Sequence, residues 1–254
     1  MKILKFKLWG ATAFFKKPDV NTYLFTYGNI HRVALLGFFG AILGYGGYNQ
    51  FEFKRREDKK LKDKYPEFYE KLVNIRIAIE PLSNGGVINK KMQVFNNSVG
   101  YASKEKGGNL IVKEQWLENP SWNIYILIDN EESEKIADFI MNNKAVFTPY
   151  LGKNDHLANI SEIEMFEDCD SIEGVDKINS LCFKEDVILS ELDTEWDDES
   201  DTDEMFKYVE SLPYELDENT NLYKMRSFIY SNMQVDYIKS KNIYRVKDKN
   251  IIFI

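Results

Sequence analysis

The segment FTYGNIHRVALLGFFGAILGYGG, residues 25–47, constrains the fold more than any other stretch of the chain. It opens polar, turns apolar, and spaces Gly37, Gly40, Ala41 and Gly44 through the apolar part. The run from Val33 to Leu43 is about half of the roughly 20 residues that a bilayer-spanning helix needs, so it is not read as a membrane span. It follows a stretch that reads as a strand and has no small-residue cleavage pattern after a basic region, so it is not read as a signal peptide either. A core helix remains, with Asn29 as the expected N-cap and Gly44, Gly46 and Gly47 as the stop. Glycines at spacings of three and four leave one face nearly bare, which suits close packing on a sheet. Each interior glycine costs a helix about 0.5–1 kcal/mol relative to alanine, and close packing is the expected compensation.

The flanking segments set the order of elements. KILKFKLWG alternates Ile3, Phe6 and Leu8 with Lys2, Lys5 and Lys7, the pattern of a strand with a wet, basic face. After a charged linker, KRREDKKLKDK, come a short helix at YPEFYEKL and a strand at VNIRIAIEPL. Residues 83–113 place the turn signals NGG, NNSVG and KGGN among the strand-like pieces KMQVF and NLIVK, as a projecting hairpin does. WNIYILID reads as a strand, NEESEKIADFIMNN as an amphipathic helix and AVFTPYL as a further strand. Strand, helix, strand, strand, helix, strand is the split βαβ, ferredoxin-like order that RNA-recognition domains share. The expected fold is therefore α+β. A ferredoxin-like domain spans 1–160 with its hairpin at about 83–113, and a small β-rich region follows at 161–254 with an acidic loop at 191–204.

Composition enters through charge and metal chemistry. Residues 1–113 carry 20 Lys and Arg against 9 Asp and Glu, whereas 114–254 carry 13 against 32. A basic half of this kind attracts a polyanion while the acidic half faces solvent or other partners. Cys169 and Cys182 form no CxxC pair and His31 and His156 lie far apart, so no zinc pattern exists. The acidic run 193–204 lacks the glycine and terminal glutamate of a calcium loop and reads as solvated. No metal or cofactor is expected, and the cysteine usage points to a reducing cytoplasm.

Several motifs together carry a family resemblance: GATAFFKKP (Gly10, Ala13, Phe15, Lys16, Pro18), TYGNIHRVALLGFFGAILG, YLGKNDHLANI, and LPYEL before a terminal β segment. From about Lys2 to Leu216 the chain resembles the Cas five family of CRISPR-associated proteins in its type I-B form. The resemblance implies a repeat-associated (RAMP) fold whose ferredoxin-like domain carries a thumb hairpin. It also implies a subunit that caps the crRNA 5′ handle in a Cascade complex of antiviral defence. There it touches the backbone subunit (Cas seven family) and the large subunit (Cas eight family), with no membrane and no small-molecule substrate.

Single-stranded RNA needs phosphate partners and flat surfaces for its bases. Tyr27, His31 and Arg32 stand at the start of the glycine-spaced helix, where free N–H groups and the dipole favour an anion. Lys16 and Lys17 occupy the loop where the family motif carries a basic residue. Lys90, Lys91, Gln93, Lys104 and Lys106 lie on the proposed thumb, although lysines also protect exposed hairpin edges. Arg32→Ala with Lys16→Ala is expected to abolish handle binding and leave the fold intact. The alternative function is a metal-independent pre-crRNA endoribonuclease of the type I-C kind, which would draw on Tyr27, His31, Lys153 and His156 for proton transfer and charge stabilisation. The Lys-His pair of that type is absent, since Lys113 in IVKEQW has no neighbouring histidine. A non-catalytic RNA-binding subunit is the expectation.

Overall fold

The computed structural model describes residues 1–58, 63–101, 104–190 and 204–254. The expected acidic loop therefore lies outside the described residues except for Glu204, as does part of the charged linker. The first half runs β1 (Lys2–Trp9), β2 (Thr12–Ala13), α1 (Arg32–Leu43), α2 (Tyr48–Glu57), α3 (Glu67–Leu72) and β3 (Ile77–Pro81). It continues with β4 (Lys90–Asn96), β5 (Ile111–Glu118), β6 (Ser121–Ile128), α4 (Glu131–Met141) and β7 (Asn159–Phe166). The remainder holds β8 (Cys182–Phe183), β9 (Val187–Leu189), β10 (Lys207–Leu216), β11 (Tyr223–Ser231), β12 (Val235–Ile238), β13 (Ile243–Val246) and β14 (Lys249–Ile252).

The main sheet has the order β3-β6-β1-β7 with every neighbour antiparallel. Its fourth strand is not AVFTPYL, as expected from the sequence, but β7. The reason is that the Val146 and Phe147 amides donate to the carbonyls of Ile42 and Ala41 at the end of α1, so those groups are unavailable for a ladder. Because β7 crosses residue 160, the sheet runs through the expected domain boundary. The core does too, since Leu181, Leu212, Leu216, Phe228 and Ile254 join the cluster built by Leu4, Phe6, Leu8, Leu36 and Phe39.

Period two sends Leu4, Phe6 and Leu8 of β1 to the helix side of the sheet, where Phe6 meets Phe39 of α1 edge-on at 6.4 Å. Helix α1 ends as expected at Gly44, whose φ of 82° is the left-handed C-cap conformation. Its N-cap is His31, however, whose Nδ1 accepts from the Ala34 amide at 3.2 Å. Asn29 has other work: fully buried, it donates to the Gly86 carbonyl and accepts from Trp122 Nε1 at 3.0 and 2.9 Å. The bare face of α1 packs on α3 and not on the sheet, because a Cβ at Gly40 would stand 2.5 Å from the Phe68 Cβ. The start of the charged linker, Lys54 to Glu57, is the last turn of α2, anchored by buried Phe51.

The opposite face of the sheet is covered by the chain itself. Tyr244, Val246, Ile251 and Phe253 of the β13–β14 end pack on Ile3, Ala78, Tyr125 and Leu127. Beside them Tyr125 and Asn123 donate to buried Glu80, which also pairs with Lys249. Lys5 and Lys7 pair with Glu164 and Glu162 of β7 at 3.3 and 3.2 Å. The surface on which RNA-recognition sheets stack bases is thus closed here.

Candidate nucleic-acid interface

A groove of about 920 Å³ runs along the outer side of α1. Ala34, Gly37 and Ala41 form its floor, so the small-residue spacing of the opening segment has two uses: Gly40 admits Phe68, and the next face around the helix leaves room for a groove. Lys16, Tyr48 of α2, Phe147, Tyr150 and Lys153 stand around it. Phe147 and Tyr150 are exposed, so their rings are accessible from the groove.

The β4–β5 hairpin borders this groove. It is antiparallel from Lys90 opposite Leu117 to Asn96 opposite Ile111, and β2 and Leu24 pair with β5 at its base. Alternation puts Lys90 on one face and Lys91, Gln93 and Phe95 on the other. Lys91 pairs with Glu118 at 3.5 Å. Lys104 and Lys106 belong to the connection at the far end of the hairpin, remote from its base.

Near that base, Gly28 is the centre of a carboxylate clip. Its amide donates to both oxygens of Glu210 at 2.9 Å, and the Tyr208 hydroxyl donates to the same group at 2.5 Å. A Cβ on residue 28 would lie 2.5 Å from the Tyr208 hydroxyl, which explains the glycine. Lys17 Nζ sits 3.4 Å from Glu210 and 5.1 Å from the centroid of the Tyr27 ring. Burial lowers the Lys90 pKa and the nearby Lys17 charge adds to the effect, while Glu210 opposes it. Lys17, Tyr27 and Lys90 therefore converge on one place, and Lys16 lies in the adjoining loop with Nζ on Asn21 Oδ1 at 3.3 Å.

His31 and Arg32, expected as RNA contacts at the start of α1, are instead buried, because both side chains turn inward. His31 is buried among Phe15, Tyr27 and Tyr223, with ring centroids at 5.9, 5.3 and 5.5 Å. Desolvation holds its pKa down to about 3, so the ring is neutral and free to accept at Nδ1. Arg32 donates to the carbonyls of Val73, Ile75 (3.3 Å) and Tyr214 (3.4 Å), and its guanidinium lies 5.0 Å from the Tyr214 ring centroid. It ties the start of α1 to the end of α3 and to β10. Tyr27 is also a packed ring, and burial raises its pKa to about 12.

His156 and Lys153 belong to a second cluster. Thr12 Oγ1 lies 2.6 Å from His156 Nδ1, and the buried imidazole packs against Trp116 at 4.7 Å. Burial lowers the His156 pKa. Lys153 bonds Glu114 and Asp155 at 3.1 and 3.2 Å, and these bonds outweigh its desolvation to raise its pKa. Tyr48, Tyr223 and Glu210 carry no sequence signal for a site, since no motif or period joins α2, β10 and β11 to the loop at Lys17.

Solved structures of CRISPR-associated proteins share this fold. A chain of a CRISPR RNA-guided surveillance complex superposes with a TM-score of 0.50 at 13% identity, over 92% of this chain and 91% of that one. A CRISPR protein from Archaeoglobus fulgidus superposes with a TM-score of 0.51 at 10% identity, over 99% of this chain and 98% of the other. No protein-family model and no curated protein matches the sequence. The chain shares the mixed α/β, mainly antiparallel fold of these proteins, in agreement with the expected α+β class. Among the described residues, no helix is long and apolar enough to cross a membrane.

Proposed function

We propose that this chain is a non-catalytic, RNA-binding subunit of a type I-B CRISPR surveillance complex. It caps the crRNA 5′ handle and joins the backbone and large subunits in the cytoplasm. One observation carries the reading: an open groove lined by aromatic rings and lysines, on a fold shared with a surveillance-complex chain. Lysines along a groove that also presents ring faces suit a single strand, whose phosphates and bases alternate. The order β1-α1-β3-β6-α4-β7 within a β3-β6-β1-β7 sheet supports a ferredoxin-like domain, and the β4–β5 insertion supports a thumb. Closure of the other sheet face supports placing the RNA on the groove side.

The surroundings of Tyr27, His31, Lys153 and His156 favour binding over cleavage. Burial lowers the pKa of both imidazoles, which weakens them as bases and disfavours an imidazolium acid, and it raises the Tyr27 pKa, while Lys153 is engaged by two carboxylates. Lys16, Lys17 and Lys90 supply phosphate contacts in this proposal, with Lys91, Gln93, Lys104 and Lys106 along the thumb. The triple variant Lys16→Ala, Lys17→Ala, Lys90→Ala is expected to weaken handle RNA binding at least about tenfold. It should also reduce the slope of log K against log salt by about 2, at about 0.7 per lost phosphate contact on a single strand. Unchanged affinity and slope in the folded variant would remove these residues from the interface.

A further inference from the structure

A side chamber of about 700 Å³ opens off the groove, between the loop at Lys17, the start of α2 and the β10–β11 pair. That is within the size range of small-ligand sites. Tyr48 and Tyr223 line both spaces, so the two adjoin at these rings. These rings keep 41% and 36% of their surface exposed and stand over an apolar patch of Leu222 and Met225. Tyr223 is held from behind by the buried His31 ring and Tyr48 by Phe68, each edge-on, so both faces are set before any ligand arrives. Lys17 stands at the rim, as does Asp19. With Asp19 on one side and Glu210 3.4 Å away on the other, Lys17 is the one cation here, which leaves room for a single phosphate in exchange for the Glu210 contact and disfavours a run of phosphates through the chamber. Asn221, at the wall of the chamber, is held by its Nδ2 donating to the Lys64 carbonyl at 3.2 Å. The chamber thus offers ring faces and one cation at its rim.

We propose that this chamber receives one unpaired nucleobase, stacked on Tyr48 and Tyr223, with its phosphate at Lys17 and the strand continuing along the α1 groove. The inference rests on the RNA-binding reading above and adds to it a site for a single flipped base. Stacking is tolerant of sequence because every base has a π-face.

The test uses the full chain and a single-stranded handle RNA in which 2-aminopurine replaces each base in turn, in EDTA. Fluorescence is expected to be quenched strongly at one position. Tyr223→Ala and Tyr48→Ala should each abolish that quenching and weaken binding about tenfold with an unchanged salt slope, whereas Tyr223→Phe keeps the quenching. The free 2-aminopurine ribonucleotide should need a far higher concentration than the strand. If the RNA binds with normal salt dependence but no position is quenched, or quenching survives both alanine variants, the chamber assignment falls and the RNA-binding reading stands. Saturation by the free nucleotide at the same concentration as the strand would overturn the strand subsite in favour of a mononucleotide site. Failure of the unaltered chain to bind the RNA would overturn both readings.

Discussion

Arg32→Ala is expected to destabilise the fold by about 3 kcal/mol, a fall in Tm of roughly 6–12 °C for a chain of this size. The guanidinium is buried and satisfies the carbonyls of Val73, Ile75 and Tyr214, which belong to three separate positions around the start of α1. Alanine leaves those acceptors without a donor and opens space against the Tyr214 ring. This reverses the expectation from sequence, in which Arg32 serves RNA and its loss spares the fold. A thermal melt decides the matter: a Tm within a degree of the unaltered chain, with RNA binding lost, would restore Arg32 to the interface.

Gly152→Ala is expected to cost a similar amount, about 3 kcal/mol, for a different reason. Residue 152 has φ of 88°, and a Cβ there would stand 2.0 Å from the Phe14 carbonyl oxygen. Backbone cannot yield as a flexible side chain can, so the 151–156 loop must shift. That loop is closed by the Leu151 amide on the His156 carbonyl at 2.7 Å, and it carries Lys153 to Glu114 on β5 and His156 to Thr12 on β2. The variant should therefore lower Tm by several degrees and also weaken RNA binding, because the hairpin base loses its support. Calorimetry and a binding titration on the same preparation would show the two losses together; an unchanged Tm would mean that the loop accommodates a side chain freely.

The sequence carried most of the sheet and both helices that lie on it, because alternation in β1, β3 and β6 and the amphipathic period of α4 are local signals. It misled where a tertiary partner outbid a local preference. Asn29 is the better N-cap by type, yet Gly86 and Trp122 take both ends of its amide and His31 caps α1 instead. AVFTPYL has strand-forming residues, but its amides finish α1. Much of α2 reads as linker because a single buried ring, Phe51, holds its apolar side. The charge division was visible, but its meaning is partly internal. Lys2, Lys5, Lys7, Lys17 and Lys64 of the basic half pair with Glu167, Glu164, Glu162, Glu210 and Glu218 of the acidic half.

The candidate site was legible only in part. Lys16, Lys17 and Tyr27 are sequence neighbours and remain neighbours in space, and Lys90 joins them through the fold of the hairpin. Tyr48, Glu210 and Tyr223 arrive from distant segments, and no period or motif marks them. His31 and Arg32 were placed at the right helix terminus, but burial, which a polar pair in a sequence does not reveal, makes them its supports.

The most direct measurement of the central claim is a gel-shift series in EDTA at low and moderate salt, with the purified chain, labelled repeat RNA and a handle-only RNA. The expected result is a complex with the handle that weakens as salt rises, with intact RNA throughout. A discrete cleavage product would contradict it by making this chain the processing ribonuclease, and absence of any complex at low salt would contradict it by leaving a protein-only assembly subunit.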